Sequence, residues 1–159
     1  MTQSAAEKAT TDYIENFDDR ILAANAIVRK YTYISAGVGV IPVPLIDLMA
    51  LSGVQMCMIR NISALYNVAF KDDIAKNIIS SLVGSVAPVG VGSVLIRAIP
   101  VISIITMPAL SGASTYALGK VMIQHLESGG TFLDFDPASV RKHFKKEFKS
   151  APANSKSPK

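Results

Sequence analysis

The stretch Ile41–Gln55, IPVPLIDLMALSGVQ, closes one helical pattern and opens another. Pro42 and Pro44 each remove a backbone donor and fix φ, and Gly37 and Gly39 stand just upstream. A straight continuation of a preceding helix is therefore unfavourable. Pro44 suits the first turn of a new helix, where its missing N–H would have no intrahelical acceptor. Asp47 falls in that turn or just after it, where the positive end of the helix dipole favours a carboxylate by about 0.3–1 kcal/mol. The pattern predicts a break near 37–44, then a helix from Pro44 to near Asn67.

Upstream, Tyr13, Ile14, Phe17, Ile21, Leu22, Ile27 and Val28 recur every three or four positions with charges between them, which predicts an amphipathic helix over 11–30. Downstream, Leu48, Leu51, Gln55, Met58, Ile62 and Leu65 form one stripe. Met49, Val54, Met56, Ile59 and Tyr66 occupy the other side, so this helix reads as surrounded, with Cys57 a packed thiol. FKDDIAK, 70–76, reads as a turn in which Asp72 or Asp73 caps the next helix.

Two uncharged stretches follow, Asn77–Ile96 and Ala98–Gly119, divided by Arg97. Each approaches the roughly 20 residues that cross a bilayer core. Gly84, Pro88, Gly90, Gly92, Pro100, Pro108 and Gly112 interrupt them. Small residues recur at four-residue steps, as Ser80 and Gly84, as Ala109, Ala113 and Ala117, and as Ser111, Thr115 and Gly119, and such ridges let helices approach closely. SGG at 128–130 stops the next amphipathic run. Asp136–Pro137 supplies a cap and a first-turn proline for a helix carrying Val140, Phe144 and Phe148 on one side and basic residues elsewhere. The domain reading is a flexible N-terminus (1–10), a helical domain (11–130), an amphipathic basic helix (131–150) and a disordered tail (151–159).

The 159 residues are half hydrophobic and 18% charged, against roughly 25% charged in a typical soluble domain. The net charge of +4 comes from the C-terminal end. A single cysteine excludes an internal disulfide and a cysteine-built zinc cluster within one chain. The polar, acidic start carries no basic-then-apolar pattern, so no cleavable secretion signal is expected.

Catalytic and cofactor patterns are not found. GVGVIP at 37–42 has a proline where a dinucleotide fingerprint needs its third glycine, and LGKVM at 118–122 lacks the hydroxyl residue and preceding glycine of a phosphate loop. His125 and His143 read as surface or helix-terminal side chains. No cofactor, metal or nucleic acid is expected, and the chain reads as non-enzymatic. Asp47, Gln55 and Arg60 remain. They read either as a cap, a helix bridge and a surface cation, or as a polar contact that fixes helix register or meets a partner.

The segments 37–68 and 111–130 resemble the YcjF-like, GTPase-associated bacterial domain family of unknown function. The resemblance rests on Pro42, Pro44, Asp47, Gln55, Met58, Ile62 and Tyr66, and on Thr115, Tyr116, Gly119 and Gly129. It implies a mostly helical protein, often of the inner membrane and sometimes fused behind a GTPase. This chain has no GTPase motif, so such a partner would be a separate GTPase or ATPase.

The expected fold is all-α, a bundle of about five helices with an apolar, Gly/Pro-interrupted hairpin at about 77–119. Two functions stay open. One is a membrane-associated scaffold, with the hairpin inserted and both termini cytoplasmic. The other is a soluble helical interaction or self-assembly module in the cytoplasm. Pro42, Pro44, Asp47, Gln55, Arg60, Tyr66, Thr115, Tyr116 and Gly119 are the structural or interaction candidates. Lys142, Phe144, Lys145, Lys146, Phe148 and Lys149 are the candidates for contact with an anionic membrane, either as an interfacial helix or as a helix docked on the core by its aromatic stripe. A second copy of the chain is a further candidate partner.

Overall fold

The computed structural model describes residues 2–38, 44–86 and 100–154, with side chains placed over 10–38, 49–86 and 108–151. Among the described residues the protein is an all-α bundle of five helices: α1 (Thr2–Val38), α2 (Pro44–Leu65), α3 (Asp72–Gly84), α4 (Pro100–Glu127) and α5 (Pro137–Asn154). α4 is the hub. It packs against α1, α2, α3 and α5, whereas α1 and α5 do not meet.

α1 starts at Thr2 and continues through Tyr31 to Val38, so it is longer at both ends than its charged amphipathic stretch. Ala24, Val28 and Ser35 lie on its fully enclosed side. Every residue from 10 to 16 is exposed, because no other described helix runs beside that part. α2 begins at Pro44 as the proline predicts, and the chain turns at Asn67, whose φ is 54°. Pro42 lies outside the described residues, as does the side chain of Asp47.

The surrounded reading of α2 is corrected. Gln55, Met58, Ile59 and Ile62 are buried, but Met49, Ser52, Gly53 and Cys57 are exposed. Uniform apolarity carries no phase, so sequence could not say which side the neighbouring helices cover. The cap of α3 is also corrected. Lys71 occupies that position without a side-chain hydrogen bond. Asp72 is already helical, and its Oδ1 accepts from Arg60 Nη2 at 3.2 Å.

α4 runs unbroken through Pro108 and Gly112. Its small residues do the work the spacing suggested, over part of their length. Ser111, Ala113, Thr115, Ala117 and Gly119 are buried, while Ala109 is exposed. A Cβ on Gly119 would lie 2.5 Å from Val28 Cγ2 and 3.2 Å from Met58 Sδ, so this glycine sets how closely α1 and α2 approach α4. Ser80 and Gly84 on α3 are exposed and make no such ridge.

Among the described residues no helix is long and apolar enough to cross a membrane. The described parts of the expected hairpin are taken up by the bundle. Ile78, Ile79 and Leu82 of α3 join the core, and Ser111–Gly119 of α4 is buried. Residues 87–99, where the hairpin would turn, lie outside the description.

α4 stops where SGG predicts. Gly129 has φ of +83°, and the Gly130 amide donates to the His125 carbonyl at 3.0 Å. The next segment is pinned to the bundle by Phe132 and Phe135, which are buried. Asp136 then caps α5, its carboxylate oxygens accepting from the Ala138 and Ser139 amides at 3.0 and 3.2 Å. Phe144 of α5 is fully enclosed, with Val140 and Phe148 packed beside it on the core. Burying such a ring stabilises the fold by about 1.5–3 kcal/mol.

Candidate interaction site

Gln55, Thr115 and Ser35 come together from α2, α4 and α1 in one buried polar seam. Gln55 Nε2 donates to Thr115 Oγ1 at 3.2 Å and lies 3.4 Å from Ser114 Oγ. The Thr115 hydroxyl donates onward to Ser35 Oγ at 2.7 Å, and Ser114 donates to the Ser111 carbonyl at 3.0 Å. Gln55 Oε1 is buried without a hydrogen-bond partner among the described residues. Such a seam couples three helices in one register, since any axial slip strands a donor in a dry interior.

Tyr66 takes part in a second cluster, near the C-terminal end of α4, that sequence reasoning missed. Its hydroxyl donates to Glu127 Oε1, and Arg20 Nη2 pairs with Glu127 Oε2 at 3.3 Å. The guanidinium also lies over the Tyr66 ring, 5.0 Å from its centroid. Burial first, and the neighbouring carboxylate next, push the Tyr66 phenol well above its ordinary range. The hydrogen bond to Glu127 raises Arg20 as well. The three residues are 46 and 61 positions apart along the chain, so periodicity offered no signal that they meet.

Arg60 lies at the surface with Asp72 and over the Phe70 ring, 5.0 Å from its centroid. Tyr116 packs partly buried on the core with Lys120 Nζ 5.7 Å from its ring centroid, and Gly119 lies beneath Val28. These candidates therefore stand in the walls of the bundle. Among the described residues no group of His, Cys, Asp or Glu is placed to hold a metal ion.

The outer side of α5 is different in kind. Arg141, Lys142, Lys145, Lys146 and Lys149 are all exposed. The helix has one carboxylate, Glu147, which sits 3.8 Å from His143 Nε2. Phe144 and Phe148 face the core, so the interfacial helix with inserted phenylalanines is corrected to a docked helix. The aromatic stripe that would have entered lipid is what seats the helix.

The segment before α5 is firmly held. Asp134 Oδ1 accepts from the Thr131 amide and hydroxyl at 2.6 and 2.5 Å, and both bonds hold its carboxyl below the usual range. The Thr131 carbonyl lies 2.8 Å from His125 Nε2. Phe135 meets the His125 ring edge-on at 4.8 Å. Leu133, between these anchors, is 80% exposed.

The early part of α1 carries a run of exposed carboxylates. Asp12, Glu15, Asp18 and Asp19 are exposed, and no lysine or arginine occurs from 9 to 19. Arg29 and Lys30 are exposed farther along the same helix, so α1 as a whole is close to charge balance, and among the described side chains its carboxylates are confined to 12–19.

A family model described as a domain of unknown function, DUF697, matches residues 3–151. Magnetosome membrane protein 22 of Magnetospirillum gryphiswaldense is 30% identical over 142 residues, with 84% of this chain and 73% of that protein covered. No solved structure matches.

Proposed function

The chain belongs to the DUF697 family, and from that premise we propose that it is a non-enzymatic, membrane-associated scaffold. One observation carries the reading: buried polar side chains link α1, α2 and α4 to one another, while the exposed side of α5 concentrates Arg141, Lys142, Lys145, Lys146 and Lys149. That arrangement suits binding to other surfaces. The similarity to a protein named for a membrane adds support. The finer parts of the proposal are the YcjF-like resemblance, a bacterial inner-membrane location and a separate GTPase or ATPase as partner.

Fractionation of cells expressing the full chain tests this. The protein should sediment with membranes, and recovery only as a monodisperse species in the soluble fraction would sink the reading. A soluble helical interaction module is the second reading, favoured by the absence of a membrane-crossing helix among the described residues.

A further inference from the structure

We infer that the membrane attachment proposed above is made by the outer side of α5, resting on an anionic lipid surface without insertion of the helix. The inference rests on that reading and names its contact. Arg141, Lys142, Lys145, Lys146 and Lys149 are exposed, and the single carboxylate of the helix is half-buried beside His143. Among the described residues no carboxylate pairs with these cations, and their charge complements an anionic headgroup layer.

The rest of the molecule sets how it would lie. Asp12, Glu15, Asp18 and Asp19 are on α1, which α4 holds away from α5. An anionic surface attracts the basic side of α5 and repels the carboxylates of 12–19, which favours lying with α5 toward the lipid. Phe144 is fully buried, so the apolar reach into the headgroups falls to Leu133. That side chain is 80% exposed on a segment held by Thr131, Asp134 and Phe135, just before α5 begins. Contact is therefore electrostatic and superficial. It weakens with salt, because the screening length falls from about 10 Å at 0.1 M to about 3 Å at 1 M.

The test uses purified full-length protein and vesicles of phosphatidylcholine with or without phosphatidylglycerol. Co-sedimentation is expected with the anionic vesicles at low salt, with release as salt rises and none on phosphatidylcholine alone. Each basic residue near an anionic surface strengthens partitioning about five-fold, so Lys142→Gln, Lys145→Gln and Lys146→Gln together should weaken it on the order of a hundredfold. Leu133→Asp should weaken it by a smaller factor. Circular dichroism of the variants confirms that the bundle is intact, since all four side chains are exposed. Folded wild type that ignores anionic vesicles at low salt overturns the inference, as does binding that the triple substitution leaves unchanged. If the full chain still fractionates with cell membranes in either case, the scaffold reading survives and the lysines of α5 meet a protein instead.

Discussion

On one flank α4 meets α1 and α2 through Gly112, Thr115 and Gly119, with hydroxyls and a buried amide between the helices. On its other flank sits α5, seated by Phe144, Val140 and Phe148. The first joint relies on what is missing from side chains, and the second on what is added. A close-approach joint tolerates no extra atom, whereas an aromatic joint tolerates no lost one. The same helix thus has two modes of failure, and substitutions tell them apart.

The largest effect is expected on the aromatic flank. Phe144→Ala removes a fully enclosed ring and should cost about 3–5 kcal/mol in a denaturant titration. If the cost is below about 1 kcal/mol, α5 is not docked by its aromatic stripe, and the contrast between the two flanks fails.

Next comes the close-approach flank. Gly119→Ala puts a Cβ where Val28 stands, and should cost about 1–3 kcal/mol by overpacking. Combined with Val28→Ala, it should cost less than the two single changes added together. Strict additivity would show that the two residues do not compete for space.

The smallest effect should come from the polar seam. Gln55→Leu removes the buried amide together with its unpartnered oxygen, and leaves Thr115 and Ser114 donating to Ser35 and to the Ser111 carbonyl. Stability should change by no more than about 1 kcal/mol. A larger loss would make the seam a source of stability as well as of register.

These sites also show what was legible in the sequence. The phase of α5 could be read because Val140, Phe144 and Phe148 alternate with cations, and its start because Asp136 and Pro137 act locally. The stop at Gly129 and the start at Pro44 are local for the same reason. Exposed Cys57 was not legible, because α2 is apolar on every side and the covered face depends on three other helices. The Arg20–Tyr66–Glu127 cluster was hidden by chain separation. Gly119 stood out by its spacing, but only the fold supplies Val28 as the atom it makes room for. Of the two readings left open for Phe144, the structure takes the docked one; sequence could not choose because an amphipathic helix offers the same stripe to a bilayer as to a protein core.

The length of α1 has a consequence for cooperativity. Its later part is clamped by the close-approach joint, with Ala24, Val28 and Ser35 enclosed, whereas residues 10–16 are exposed throughout. Helix beyond the clamp is held by propagation and by local contacts such as the Asn16 side-chain amide on the Asp12 carbonyl, with little gain from burial. The backbone amides of α1 therefore divide into two populations. Those near Val28 exchange with solvent only when the bundle opens, and those around Tyr13 exchange by local opening of the exposed stretch while the rest of the protein stays folded.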